Sequence, residues 1–258
     1  MITLQIQEKI SKPDFLSPAV RFFWDTRDIQ KEKQKEKGGK DQGERSGATG
    51  GKQMDGFVDS IVGLLKEIDV PPQDIFTNSK IEIPGFFRAE KRWDLLIIKK
   101  NFNEDKKLVA AMELKSHPGP SFGNNVNNRA EEAIGSAIDV WKAYRDGIFK
   151  SSPAPWLGYF LLVEDCEKSR QPVVIREPHF KVFPEFKGAS YCERYHQLCI
   201  RLVRERCYNS SSLILADKEK RNQNNNYSEL YPELTVSQFL TSLLFHASSY
   251  YVQDSPQD

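Results

Sequence analysis

Asp94, Glu113 and Lys115 set two carboxylates and one ammonium in the pattern D-x18-E-x-K. Glu113 and Lys115 close an apolar run, "KLVAAMELKS", and side chains at i and i+2 of a strand share a face. Asp94 opens the preceding run, "RWDLLIIKK". A hairpin centred between Asn103 and Glu104 sets Asp94 directly opposite Glu113, with Cβ atoms roughly 4.5–5.5 Å apart. Two carboxylates so placed repel each other. A divalent cation removes that repulsion and takes both as oxygen ligands, with Lys115 beside it. Such a cluster suits hydrolysis of a phosphodiester. The metal neutralises charge developing at phosphorus and lowers the pKa of a bound water. The ammonium orients that water or stabilises the transition state. Alone the triplet is a weak signal, since acid-x-Lys triplets are common in charged chains and read first as a surface salt bridge at a strand end.

The elements around these residues must position them. Residues 14–37 read as a charged helix, and residues 38–53, "GGKDQGERSGATGGKQ", as a long exposed loop. From Asp55, the set Phe57, Ile61, Leu64, Leu65 and Ile68 steps at helical spacing until Pro71. The two apolar runs flanking "NFNED" read as an antiparallel hairpin. Asn128 is expected to cap the next helix, with Glu131 in capping-box position and Ala130, Ala133, Ile134, Ala137, Ile138 and Trp141 on its apolar face. "PWLGYFLLVED" (155–165) is apolar enough for the inside of a sheet. Helices follow over 191–207 and 235–250, with a polar loop at 221–226. The order helix, strand, strand, helix, strand, helix implies an α/β core, a mixed β-sheet flanked by helices.

Bulk properties bound the alternatives. The chain has 258 residues, 39% hydrophobic and 28% charged, with a formal net charge of +1. That suits a globular protein with a core and gives no global basic bias. Local excesses exist: seven Lys/Arg against four Asp/Glu in residues 31–52, and eight against five in 88–115. No signal-peptide pattern or membrane-length apolar run is present, so a cytoplasmic protein with reduced thiols is expected. Cys192, His196, Cys199 and Cys207 could form a zinc cluster, but Cys199 fits an apolar helix stripe and a buried thiol is the better reading. His117, beside Pro118, reads first as a turn residue.

Longer blocks carry a resemblance. "TGGKQMDGF" (49–57), "PGFFRAEKRWDLLI" (84–97), "ELKSHPGPSFGNNVNNRAEEAIGSA" (113–137), "PWLGYFLLVED" (155–165), "EPHF" (177–180) and "LVRERCY" (202–208) together resemble the XhoI family of type II restriction endonucleases, within the PD-(D/E)-x-K nuclease superfamily. The resemblance runs from about residue 20 to the C-terminal helix. It implies a restriction-endonuclease-like core and a Mg2+-dependent homodimer of a prokaryotic cytoplasm, paired with a cognate DNA methyltransferase. The expected substrate is double-stranded DNA at a palindromic six-base site, CTCGAG, cut to leave 5′ phosphates. The nuclease motif maps onto Asp94, Glu113 and Lys115, with Asp94, Glu113 and the Leu114 carbonyl as metal ligands. Where the fold usually has Pro before the first Asp, this chain has Trp93; the nearest Pro is Pro84. An acid of the first helix often assists, and Asp55, Asp59 and Glu67 are candidates. A single restriction-endonuclease domain is expected over 1–258, with an N-terminal helix and loop segment (1–53), a catalytic core (54–180) and a C-terminal helical segment (181–258).

A cutter must also hold phosphates and read base edges. Asn124, Asn125, Asn127, Asn128 and Arg129 follow the active strand, and Asn and Arg pair bidentately with adenine and guanine. Asn-Gly stretches also simply make turns. Arg45, Thr49, Lys52 and Gln53 offer similar chemistry in the earlier loop. Two rival functions use the same fold: a catalytically silent DNA-binding protein, and a repair or recombination nuclease. The intact triplet speaks against the first, the full-length resemblance against the second.

Overall fold

The computed structural model describes residues 3–36, 52–100, 105–149 and 152–252. Helix α1 (Leu4–Ile10) and helix α2 (Ser17–Glu36) come first; α1 lies outside the sequence reading. Helix α3 (Asp55–Glu67) follows, and strands β1 (Ile75–Phe76), β2 (Glu82–Ile83) and β3 (Lys91–Arg92) lead to β4 (Leu95–Lys100) and β5 (Lys106–His117). Helix α4 (Gly123–Arg145), β6 (Trp156–Glu164), the short α5 (Glu167–Arg170), α6 (Tyr191–Arg204), β7 (Ser210–Ala216), β8 (Tyr227–Ser228) and α7 (Val236–Val252) complete the order. The main sheet runs β1-β4-β5-β6-β7-β8. Strands β5, β6 and β7 are parallel to one another; the other neighbours pair antiparallel. This is the mixed α/β architecture expected from the pattern.

Alternation along the strands divides the core in two. Leu95, Ile97, Met112, Leu114 and Phe160 face one way, against α2, α3 and α7 through residues such as Phe23, Phe57 and Phe239. Leu96, Ala111, Leu161 and Leu213 face the other way, against α4 and α6 through Ala137, Val140, Tyr195 and Cys199. Strands β6 and β7 are covered on both faces, so they read as unbroken apolar runs. The run "SSSLILA" of β7 lies in the C-terminal segment where only helices and a polar loop were expected, yet it pairs with β6 over its whole length.

Two local readings are corrected. Asn128 does not cap a helix: α4 begins five residues earlier, after Phe122, which provides no side-chain cap. The stretch read as an Asn-rich turn is thus the first turns of α4, whose later residues pack on the sheet and set its start. Nor is the expected apolar face wholly buried. Ala133, Ala137 and Val140 are inside, while Ile134 and Ile138 are 46% and 39% exposed.

One buried carboxylate holds the segment leading into the site. Asp139 of α4 accepts from the backbone N–H groups of Phe86 and Phe87, both at 2.7 Å, and from Arg88 Nε at 2.6 Å. These bonds outweigh its burial and keep its pKa below the ordinary value. A Cβ on Gly85 would lie 2.2 Å from Asp139 Oδ2, so only glycine allows this approach.

Candidate active site

The hairpin register decides what meets Asp94. Leu95 pairs with Met112, and one step further Asp94 N–H donates to the Met112 carbonyl at 3.1 Å. Asp94 thus stands just before the first paired residue of β4, and Lys115 Nζ joins it to Glu113, 3.8 Å from Asp94 Oδ2 and 2.9 Å from Glu113 Oε1. The register slips only farther away, between Ile97 and Ile98. The turn itself lies outside the described residues.

Glu113 is 2% exposed, on the sheet face covered by α4 and α6. Its Oε1 accepts from Lys115 Nζ at 2.9 Å and from Lys91 Nζ at 3.1 Å. Its Oε2 accepts from the Tyr208 hydroxyl at 3.2 Å, and that hydroxyl also lies 3.1 Å from the Ala133 carbonyl. Asp94 Oδ2 accepts from Leu114 N–H at 2.7 Å and is 3.8 Å from Lys115 Nζ. Burial pushes the Glu113 carboxyl up, but the Lys115 and Lys91 ammonium groups outweigh it and hold it below the usual carboxylate range. Lys115 responds in kind: burial would lower its pKa, yet Glu113 and then Asp94 raise it. Glu113 and Lys115 thus stay ionised near neutral pH. The repulsion expected between the carboxylates is here offset by two lysines, one of which the sequence reading did not single out.

The donor set suits a hard cation. Among the described residues no group of three or more His, Cys, Asp and Glu converges. Two carboxylates do, and the N–H and C=O of one strand residue point to the same edge, so the Leu114 carbonyl faces Asp94 as its N–H does. An all-oxygen set of this size fits Mg2+, which keeps several waters and takes one or two carboxylates.

Of the candidate acids on α3, Asp55 is held above its ordinary pKa. Burial raises its pKa first, then Asp59 and Asp94, with Lys52 opposing. Glu67 lies at the other end of α3, paired with Lys9 at 2.5 Å. The remaining candidates divide. Gln53 is buried and donates to the Ser116 hydroxyl at 3.2 Å, so it braces the end of β5. Arg129 reaches the same strand end, with Nη2 3.5 Å from the Ser116 carbonyl and Nη1 2.6 Å from Glu132. Asn125 donates to the Ser121 carbonyl at 2.8 Å. Asn124 lies in the first turn of α4, and Asn127 and Asn128 are exposed on that helix. Lys52 is exposed just before α3. Arg45 and Thr49 lie outside the described residues.

Lys91 and Tyr208 are the participants that spacing did not reveal. Lys91 sits on the two-residue strand β3, donates to the Arg92 carbonyl at 2.6 Å and lies 4.8 Å from the Trp93 ring centre. Its signal was "EKRWD", three residues before Asp94, but no pattern marks so short a strand. Tyr208 arrives from beyond α6 and is fully buried among apolar groups; only its last atom is polar business. His117, by contrast, is buried rather than a turn residue. Its Nδ1 meets the Tyr195 hydroxyl and its Nε2 the Ser121 carbonyl.

The family model described as restriction endonuclease XhoI matches residues 33–229. The chain is 52% identical over 215 residues to the type II restriction enzyme BstVI of Geobacillus stearothermophilus, covering 83% of this chain and 96% of that one. It is 48% identical over 183 residues to the type II restriction enzyme XhoI of Xanthomonas vasicola, covering 70% and 71%. It is 44% identical over 164 residues to AbrI of Azospirillum brasilense, covering 63% and 71%. No solved structure matches the chain.

Proposed function

The chain belongs to the XhoI family of type II restriction endonucleases, and from that premise we propose that it cuts double-stranded DNA at CTCGAG with Mg2+ as cofactor, leaving 5′-phosphate ends. The observation that supports this centre is the meeting of Asp94, Glu113 and Lys115 at one strand end. Asp94, Glu113 and the Leu114 carbonyl hold the cation in this reading. When bound, Mg2+ supplies positive charge where the phosphate becomes more negative and eases ionisation of the attacking water. Lys115 orients that water and stabilises the in-line transition state. Attack on phosphorus breaks the bond to the 3′ oxygen, so the 3′ side leaves as a hydroxyl and the phosphate stays on the 5′ end. Tyr208 keeps Glu113 Oε2 in place while Oε1 faces the reaction centre.

The palindrome implies two copies of the chain related by a two-fold axis. The host's own sites need protection, so a DNA methyltransferase of the same specificity is the expected functional partner. The same reading places the enzyme in a prokaryotic cytoplasm as one domain. No described helix is long and apolar enough to cross a membrane.

The test is plasmid digestion. DNA carrying CTCGAG sites is incubated with the protein, with and without Mg2+, beside Glu113→Ala. Discrete metal-dependent fragments, absent with the variant, are expected. Binding without cutting favours the silent DNA-binding protein, and random degradation or nicking favours a repair nuclease.

A further inference from the structure

A second basic feature lies just beyond the end of β5, the strand that carries Glu113 and Lys115. The parallel strands β5, β6 and β7 end together, and ligands of α/β sheets gather outside the carboxyl ends of strands. There, the segment after β5, the end of β6 and the residues after β7 enclose a cavity of about 290 Å3 with one face of α2. Arg27 and Lys31 enter from α2, Lys168 from α5 and Lys218 from beyond β7, over the apolar rings of Trp24 and Phe122. Four cations therefore converge from three parts of the chain. The lining holds one carboxylate, Glu164, whose Oε2 already accepts from Gly119 N–H at 2.5 Å. Lys168 donates to the Pro120 carbonyl at 2.7 Å, a neutral partner. Lys218 pairs with Asp28 at 2.6 Å.

The position relative to the reacting centre matters. Pro118 is three residues past Lys115, roughly 10 Å along an extended strand. That is about three nucleotide steps along a duplex axis. Measured along β5, the cavity is therefore within the span of a duplex whose reacting phosphate sits at Asp94 and Glu113. Resting on the nuclease reading above, we infer that the cavity between α2 and the ends of β5, β6 and β7 is a sequence-independent seat for DNA backbone phosphate, built by Arg27, Lys31, Lys168 and Lys218. It gives α2, whose residues 17–32 precede the matched family region, a role in holding substrate.

The experiment measures binding of a short CTCGAG duplex across a salt series, with Ca2+ replacing Mg2+. The double variant Lys31→Gln/Lys168→Gln is compared with the parent and with Lys66→Gln/Lys106→Gln, exposed lysines away from the cavity. Each lost phosphate contact lowers the log–log salt slope by about 0.9, so the cavity variant loses roughly two, with affinity down at least about tenfold. The same loss is expected on a duplex lacking CTCGAG. Lys31→Arg/Lys168→Arg keeps the charge and restores the slope, which separates lost contacts from misfolding. An unchanged slope in the cavity variant overturns the inference, as does an equal loss in the Lys66/Lys106 variant. A parent that neither binds nor cuts any duplex overturns the nuclease reading and the inference together. A parent that cuts while the cavity variant keeps its full slope overturns the inference alone.

Discussion

Glu113 carries more partners than any other polar group at the site, and each implies a consequence. Lys91 and Lys115 share its Oε1, so on the proposed metal-binding reading two ammonium charges compete with the cation for this carboxylate. Lys91→Gln removes one repelling charge and leaves Lys115 in place. Binding of Mn2+, followed by calorimetry without DNA, is expected to tighten by about tenfold, the scale of one neighbouring charge in partly screened surroundings. Unchanged or weaker binding contradicts this arrangement. The candidate triplet was legible because Glu113 and Lys115 sit at i and i+2 of one apolar run and Asp94 opens the run before it, although the slip between Ile97 and Ile98 shifts the register by one residue. Lys91 was not, since β3 has only two residues and no periodicity. Tyr208 was not, since a long-range contact between residues 95 positions apart leaves no local pattern. His117 gives a separate prediction. Burial pushes its pKa down to about 4 from an ordinary 6.5. Its folded pKa is depressed, so the stability it permits is present above pH 6.5 and is lost as pH falls toward 4. Urea denaturation should show about 2 kcal/mol less stability at pH 5 than at pH 7 from this residue. His117→Gln is expected to flatten that slope; an unaltered slope contradicts the assignment.

At the scale of elements, α4 both covers the sheet and anchors the approach to Asp94. Asp139→Ala removes three hydrogen bonds from the 86–88 segment, one of them to the partly exposed Arg88. Loss of about 2–3 kcal/mol in chemical denaturation is expected, because the two N–H groups lose a charged acceptor. Cleavage should fall as well, since the segment leads directly to Lys91 and Asp94; a variant with parental stability contradicts the clamp. Most long elements were readable from periodicity: α3, β4, β5, β6, α6 and α7 fall close to their expected spans. The start of α4 was misread because Asn and Gly favour turns locally, and packing of Val126 and Ala133 overrides that preference. Strand β7 escaped notice because three serines open it, although Ser211 and Ser212 are buried in the sheet.

For the whole molecule, the sequence pattern specified an α/β sheet but not its order, which depends on crossovers through α4 and α6. That order brings the ends of β5, β6 and β7 together, where the lysine-lined cavity opens. A dimer acting on a palindrome should sediment at twice the 29.7 kDa chain mass, and a monomeric species at working concentration contradicts the two-fold reading. The central claim is that Asp94 and Glu113 form the hydrolytic centre of a CTCGAG-specific enzyme. Single-turnover cleavage of a CTCGAG duplex in Mg2+ tests it most directly, comparing the parent with Glu113→Gln while duplex affinity is measured in Ca2+. Glu113→Gln should keep affinity within a few fold and slow cleavage by at least about 10²–10³-fold, the scale of losing one preorganised charged group. Cleavage at the parental rate by Glu113→Gln, or no cutting of CTCGAG by the parent, contradicts the account.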